Sequence, residues 1–217
     1  RGTNKLGYHD GPWEICQELD CPTPKEFNEV ARHDLDKGQT MLKILLDETK
    51  YLNSFQAKKR KGLQLSSIDD FKIAFKNINL EEVPFLIETV NGGQAFFALF
   101  TAYIQQQNYD LQKIKGCIGL DPLGELVKEG TLPYSLDEAY EMMAEITKWS
   151  SKHASNVQSI MIQSHPYHDA GGNAVHEIAF AISTGLDYLR EMDQRQIDLN
   201  DVAHHLLFSF SIGSNFF

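Results

Sequence analysis

Residues 84–93 read Pro-Phe-Leu-Ile-Glu-Thr-Val-Asn-Gly-Gly, an apolar run of strand length followed by a tight turn. A continuous run of this kind is typical of a strand in a parallel sheet, because both faces of such a sheet are covered. Residues 94–107 follow with apolar side chains at a spacing typical of a helix, namely Phe96, Phe97, Leu99, Phe100 and Ile104. The stretch therefore predicts a strand, a turn and a helix that packs on the strand.

The same pattern recurs on both sides of this unit. Predicted strands occupy 41–48, 84–90, 114–120, 157–162 and 206–212. Predicted helices occupy 24–37, 68–77, 94–107, 135–152 and 170–190, with a loop after residue 120 and a short helical segment from residue 200. Strands that alternate with helices of this length indicate βαβ units and a parallel sheet with right-handed crossovers.

Two architectures fit this order, namely an open doubly wound sheet of the flavodoxin type and part of a (β/α)₈ barrel. The predicted units repeat about every 41 residues, so eight of them would exceed about 300 residues, as large barrels do. We therefore predict an α/β protein of the (β/α)₈ TIM-barrel type. It would hold about the first half of the barrel, strands 1–5, over residues 39–217, preceded by an N-terminal arm and first helix over residues 1–38. A buried Trp13 would pin this arm to the core.

Composition and charge indicate which partners the protein can bind and in which cellular compartment it occurs. The formal net charge is −10, which repels a polyanion, so we expect no nucleic acid partner and interpret the basic run at 58–61 as an exposed loop. The three cysteines suggest no disulfide framework, and no apolar stretch is long enough to span a membrane. We expect a cytoplasmic protein without a membrane partner, and a chain excised from a longer one.

Polar side chains follow the predicted strands, at the edge where parallel βα folds place their working surface. We predict that five of them line a cleft: Asn91, Asp121, His165, Tyr167 and His168. A metal site would use His165, His168, Asp169 and His176, because imidazole and carboxylate are common ligands. Their spacing matches no closed zinc site, so we favour the polar cleft and predict no metal.

The usual nucleotide and hydrolase motifs do not follow any predicted strand. There is no Gly-x-Ser-x-Gly elbow, no Walker loop and no Gly-x-Gly-x-x-Gly. This argues against a hydrolase, an NTPase and a dinucleotide-dependent enzyme.

Several short motifs occur in a fixed order along the chain. They are Pro12-Trp13, Asn91-Gly92-Gly93, the Tyr-His-Asp-Ala-Gly-Gly run at 167–172, the helical residues 177–188, and the Gly-Ser-Asn-Phe-Phe run at 213–217. In this order they resemble the substrate-binding barrel of methylmalonyl-CoA mutases over nearly the whole chain.

The resemblance implies a fold, a cofactor and separate domains for substrate and cofactor. The family consists of adenosylcobalamin-dependent isomerases in which a barrel holds the CoA ester and a separate C-terminal domain binds the cobalamin. The cobalamin domain would be absent from this chain, so we expect adenosylcobalamin in the family holoenzyme and none bound by these residues. The protein part of such chemistry is to position and shield radicals.

The chain departs from the family pattern where the chemistry would lie. Glu18 stands where catalytic members have a tyrosine that helps to form the radical, and Glu129 falls at about the position of an arginine that binds the substrate carboxylate. His165 and Pro166 replace a tyrosine-histidine pair whose histidine contacts the thioester carbonyl. A change from arginine to glutamate turns attraction for a carboxylate into repulsion, and proline has no side-chain donor. We therefore predict no catalytic residue at these positions.

With these departures, the chain resembles the non-catalytic small subunit of a heterodimeric methylmalonyl-CoA mutase. Its expected partner is the catalytic large subunit, and the isolated piece would form a homodimer or aggregate through exposed strand edges. Two alternatives remain open at this point. One is a diverged acyl-CoA mutase with another substrate, and the other is a complete flavodoxin-like binding module.

Overall fold

A computed structural model describes residues 13–47, 62–89 and 93–213. Six strands form one parallel sheet: β1 Cys16–Leu19, β2 Met41–Ile44, β3 Phe85–Thr89, β4 Gly116–Leu120, β5 Val157–Gln163 and β6 Leu206–Ser209. Eight helices lie between these strands in the described part of the chain: α1 Pro24–Asp36, α2 Ile68–Ala74, α3 Gly93–Gln106, α4 Pro122–Glu129, α5 Leu136–His153, α6 His165–Asp169, α7 Ala174–Gln194 and α8 Leu199–His205.

The strand order follows the chain, β1-β2-β3-β4-β5-β6, and every neighbouring pair is parallel. A doubly wound sheet reverses direction at a switch point, whereas this sheet advances in one direction throughout. Right-handed crossovers in one direction place all the helices on the same face. The partial (β/α)₈ barrel is therefore confirmed and the flavodoxin-like alternative is wrong. The sheet is not closed, and β1 and β6 are its edges.

Strand β1 lies within the stretch that we predicted as an arm, so the described part of the barrel has six strands rather than five. It pairs in parallel with β2, and only Leu19 of its four residues is buried. An edge strand bonds on one side and needs no continuous apolar run, which is why its sequence gave a weak signal. Trp13, expected to be buried, exposes 68% of its surface.

Local sequence signals explain where the main helices begin. Thr23 accepts a hydrogen bond from the Glu26 backbone at the start of α1, and Ser67 and Ser135 form capping boxes at the starts of α2 and α5. Helix α4, which we predicted as a loop, begins at the cap Asp121 and ends at Gly130 with φ 73°. Its eight residues were too few for a clear periodicity.

The hydrophobic core lies between the sheet and the helices. Side chains alternate across a strand, so Leu42 and Ile44 on β2 face the helices and are buried, whereas Lys43 faces the other side. Aromatic pairs connect the successive helices and the sheet: Phe27–Phe75, Phe71–Phe96, Phe85–Phe100, Phe97–Trp149 and Tyr140–Tyr188. We call the face without helices the inner face, because it would surround the axis of a closed barrel.

Gly116 at the start of β4 allows a close approach between two strands. Its φ is 152°, and a Cβ there would lie 2.3 Å from the carbonyl oxygen of Phe85 on β3. Any side chain at this position would push the two strands apart, so the glycine sets the spacing of the sheet at the amino ends of β3 and β4.

Helix α7 is the last long helix of the array and keeps an exposed apolar side. Val175, Ile182 and Leu186 lie on one face of this helix and are about half exposed or more. Phe208 on β6 and the nearby Phe210 are also partly exposed. A contiguous apolar surface of this kind marks a place where another element or protein packs. We call these five residues the α7/β6 surface.

Candidate functional site

Three charged side chains meet on the inner face. Lys43 on β2 places its Nζ 3.0 Å from Glu18 Oε2 on β1 and 2.8 Å from Glu88 Oε1 on β3. Glu18 is the register neighbour of Lys43, and Glu88 lies two residues beyond Leu86, the neighbour on β3. The parallel register therefore assembles the group, which we call the inner-face ion cluster.

The three side chains of this cluster stabilise one another in their charged forms. The side chain of Lys43 is 27% exposed, and its burial alone would lower its pKa. The hydrogen bonds and charges of Glu88 and Glu18 outweigh this burial, so the pKa of Lys43 is raised. Two carboxylates face one ammonium group, which leaves the cluster with a net charge of about −1. Glu18 is thus engaged in an ion pair with Lys43.

At the carboxyl end of β4, Asp121 is buried and receives three hydrogen bonds. Its Oδ1 accepts from the Gly124 backbone at 3.0 Å and from the Tyr188 hydroxyl, and its Oδ2 accepts from the Gln163 backbone at 2.8 Å. Burial raises the pKa of Asp121, and the three hydrogen bonds oppose this rise. The carboxylate therefore joins β4, β5, α4 and α7.

Tyr188 on α7 completes this network from the helix side. It is fully buried, and its hydroxyl oxygen accepts a hydrogen bond from the Leu123 backbone at 3.0 Å while it donates to Asp121. Burial, and then the charge of Asp121, raise the pKa of Tyr188. The phenol therefore stays protonated and acts as a fixed donor.

A second buried carboxylate, Glu177 on α7, holds the ends of β5 and β6. Its Oε1 accepts from the Ser164 hydroxyl and from the Ser211 backbone at 2.8 Å, and its Oε2 lies 3.2 Å from Nδ1 of His168. The Ser164 hydrogen bond, followed by that of Ser211, lowers the pKa of Glu177. Ser164 is itself fully buried, so its hydroxyl fixes the Glu177 carboxylate and is closed to a substrate.

The other predicted site residues occupy different surroundings. The Tyr167 hydroxyl lies 2.9 Å from Oγ1 of Thr184, and His165 is close enough to Asp121 to interact electrostatically. Pro166 is buried in α6, and Glu129 is exposed at the end of α4. Asn91 lies outside the described residues. The cleft-lining role of Asn91, Asp121, His165, Tyr167 and His168 stays a prediction.

Sequence reasoning missed four residues of these networks: Lys43, Glu88, Glu177 and Tyr188. Lys43 and Glu88 interrupt otherwise apolar strands, and such charges in a covered sheet usually have partners. Glu177 and Tyr188 share one buried stripe of α7 with Ala181 and Thr184, at a helical spacing of four, three and four residues. An acidic side chain in a buried stripe was the signal that could have identified Glu177.

No group of three or more His, Cys, Asp or Glu side chains that could bind a metal ion occurs within residues 13–47, 62–89 and 93–213. His168 contacts Glu177, and the ring of His176 lies 6.2 Å from that of Phe180. These histidines therefore do not converge. In the same ranges, no helix is both long and apolar enough to cross a bilayer.

A cavity of about 340 Å³ lies at the opposite, amino ends of the strands. Its lining includes Met41 on β2, Cys117 on β4 and Leu207 on β6, together with Lys115 and His204. Burial raises the pKa of Cys117 above its usual range, so this thiol is not a nucleophile at neutral pH. The carboxyl-end networks and this cavity are thus separate features.

Together these features define a parallel βα array of the barrel class, with polar networks at the carboxyl ends of its strands and an ion cluster on its inner face. The family model for methylmalonyl-CoA mutase matches residues 1–217. The chain belongs to the methylmalonyl-CoA mutase family.

Individual relatives agree with this result. The chain is 29% identical to the methylmalonyl-CoA mutase of Cereibacter sphaeroides, 26% to that of Escherichia coli K12 and 27% to the mitochondrial enzyme of Homo sapiens. Each comparison covers 100% of this chain but only 32%, 31% and 30% of the relative. The chain therefore spans about a third of the length of these relatives.

Proposed function

We propose that this chain is part of a non-catalytic mutase subunit that supports a catalytic chain in the interconversion of methylmalonyl-CoA and succinyl-CoA. Membership of the family supports the reaction class. The observation that carries the finer proposal is the ion pair of Glu18 with Lys43, at 3.0 Å on the inner face.

This ion pair changes what the position can do. A tyrosine donates a hydrogen bond through its hydroxyl, whereas an ionised carboxylate only accepts. Glu18 accepts from Lys43, and Lys43 also donates to Glu88 at 2.8 Å, so the cation is shared between two protein carboxylates. The remaining negative charge repels an acyl group that carries its own carboxylate. A barrel with this inner face supports a structural role better than a catalytic one.

The polar groups at the carboxyl ends do not fit adenosylcobalamin, which would supply the radical in a catalytic chain. Asp121 and Glu177 are occupied by donors from the protein itself, and among the described residues at this end His165 has ring nitrogens without a hydrogen bond. A corrin needs several partners at its periphery, and in the described part of this end both buried carboxylates are already taken up by the protein. We therefore derive no chemical step through this cofactor.

The α7/β6 surface supports the idea of a chain that works within a larger assembly. Its apolar side chains would be covered by further βα units of the same polypeptide or by another subunit. The catalytic large subunit remains the partner that we propose, and self-association of an isolated piece of these residues stays a prediction.

The test uses the full-length protein, purified with and without a co-expressed catalytic chain. Each sample receives adenosylcobalamin and methylmalonyl-CoA, and succinyl-CoA is measured by chromatography. We expect no turnover from the protein alone, and turnover together with co-purification when the catalytic chain is present. Turnover by the protein alone would overturn the proposal.

A diverged acyl-CoA mutase with another substrate is the second candidate. The observation that favours it is the net negative inner-face ion cluster, in which the Glu18 side chain is still 46% exposed and able to meet a neutral or cationic acyl group. Electron paramagnetic resonance with a panel of such acyl-CoA esters tests it. A cob(II)alamin or organic radical signal supports this candidate, and silence across the panel counts against it.

A further inference from the structure

A cavity of about 460 Å³ lies on the outside of the helix layer, where the carboxyl ends of α2 and α3 meet. Its lining is Lys72, Phe75, Lys76, Asn77, Ile78, Asn79, Tyr103, Gln107 and Tyr109. The volume falls within the range of about 300–1,000 Å³ that is usual for small-molecule sites. We call it the outer cavity, and it is separate from the inner face and from the carboxyl-end networks.

Tyr103 is the most informative side chain of this cavity. Its ring stacks on Phe71 at 5.5 Å and lies 5.9 Å from Phe75, so the residue exposes only 2% of its surface. Yet its hydroxyl has no hydrogen-bond partner among the residues that the structure describes. Burial raises the pKa of Tyr103 to about 12, so the hydroxyl is protonated and available as a donor. The hydroxyl oxygen is not one of the fully buried unpaired atoms of the described residues, so it reaches the cavity, where a bound group can accept from it.

The cavity holds further polar groups that have no partner among the described residues. Lys72 is paired with Asp69 at 3.0 Å, but Lys76 has no ion-pair partner in the described part of the chain. The side-chain amides of Asn77 and Gln107 likewise make no hydrogen bond there. Lysines near helix carboxyl ends are common because they complement the helix dipole. That role explains the charge of Lys76 but neither the cavity nor the free phenol.

We propose that the outer cavity binds a small organic anion, whose carboxylate or phosphate oxygens accept hydrogen bonds from Tyr103 and Lys76. The side-chain NH2 groups of Asn77 and Gln107 contribute further donors, and the partly exposed ring of Tyr109 offers an apolar surface to the body of the ligand. The ammonium group of Lys76 only donates, and the hydroxyl of Tyr103 can donate beside it, so the two favour a negatively charged group rich in acceptors. The site does not depend on the proposed subunit role.

The test uses the full-length protein labelled with 3-fluorotyrosine and three probes: benzoate, phenyl phosphate and inorganic phosphate. Fluorine NMR detects a change at Tyr103, whose signal is assigned by its loss in Tyr103→Phe, and calorimetry gives the dissociation constant. We expect a value of about 1 mM or tighter for at least one organic probe. Binding of benzoate alone assigns a carboxylate ligand, and binding of phenyl phosphate alone assigns a phosphate ligand.

Variants separate a built site from general charge attraction. Tyr103→Phe keeps the ring packing and removes only the donor, and Lys76→Gln removes only the charge. Each should weaken binding about 10-fold, as expected for the loss of a charge-assisted hydrogen bond. Lys113→Gln, the control, removes the same charge from a nearby lysine outside the lining and should leave binding unchanged. The remaining fluorotyrosine signals verify that each variant is folded.

Two results would overturn the proposal. The first is the absence of binding by either organic probe at about 10 mM. The second is an equal loss in Lys113→Gln and Lys76→Gln, which would mean non-specific attraction. An outer cavity filled by an acidic side chain of a protein partner would give the first result.

Discussion

Replacing Tyr188 by phenylalanine removes a single oxygen from the centre of the Asp121 network. The hydroxyl donates to Oδ1 of the buried Asp121 and accepts from the Leu123 backbone at 3.0 Å. A hydrogen bond to a charged group contributes about 1.5–3 kcal/mol, and an unsatisfied buried donor costs about 1–3 kcal/mol. Because the Leu123 amide is only partly buried, we expect Tyr188→Phe to lower the free energy of unfolding by about 2–4 kcal/mol.

The assay is urea denaturation of the full-length protein, followed by circular dichroism, with hydrogen exchange to locate the effect. Protection should fall in peptides from α4, the end of β5 and α7, because Asp121 connects these elements. For a cooperative unit of about 150–250 residues, the change corresponds to a decrease of about 4–16 °C in the melting temperature. The cost should shrink as the pH falls through the pKa of Asp121, which burial raises above its ordinary value, because the neutral carboxyl accepts a weaker hydrogen bond.

The control is Tyr109→Phe, which removes a phenol oxygen that lies 3.5 Å from the Ile78 carbonyl. That contact is too long to stabilise the fold much, so we expect a loss below about 0.5 kcal/mol. Equal effects of Tyr188→Phe and Tyr109→Phe, or a loss below about 0.5 kcal/mol for Tyr188→Phe, would refute the structural role of the Asp121 network.

Two further predictions concern the other charged groups. Lys43→Met leaves Glu18 and Glu88 facing each other and should cost about 1–2 kcal/mol at pH 7 in urea denaturation, against less than about 0.5 kcal/mol for the exposed control Lys72→Met. The pKa of Lys43 is raised, so the stability that Lys43 contributes is present below its ordinary pKa of 10.5 and is lost as the pH rises through its pKa in the folded state. The same dependence of stability on alkaline pH in the parent and in Lys43→Met would contradict this. The pKa of Glu177 is lowered, so its contribution is present above its ordinary value of 4.5 and is lost as the pH falls through the folded value. Glu177→Gln should therefore be less stable than the parent at pH 7 and lose less stability in acid. Circular dichroism from pH 7 to 2 follows the unfolding of both proteins. An equal loss of stability in acid by the parent and the variant would contradict the prediction.

The parts of the fold that sequence could predict are those whose residues are buried on both sides. Strands β3 and β5 are near-continuous apolar runs, and α1 and α5 carry strong caps, so their positions follow from local rules. Strand β1 was not predicted, because its place in the sheet depends on pairing with β2, a segment distant in the sequence. No local property of four mostly exposed residues distinguishes such an edge strand from an arm.

The candidate site was predictable only in its outline. Asp121 follows a strand, so its place at the carboxyl edge could be foreseen. Its partner Tyr188 is 67 residues away, and only the packing of α7 on β5 brings the two together. The inner-face ion cluster depends in the same way on register, because Glu18, Lys43 and Glu88 come from three separate strands.

The inner-face ion cluster also favours the native register of the first three strands as the chain folds. A slip of β2 by a single residue would turn Lys43 toward the helix layer, next to the buried Ile87 and Phe85, and would expose Leu42 and Ile44. A lone ammonium group in that layer is far costlier than in its native place. The lysine therefore penalises misaligned pairings that an all-apolar strand would tolerate, and it selects a single arrangement of the sheet.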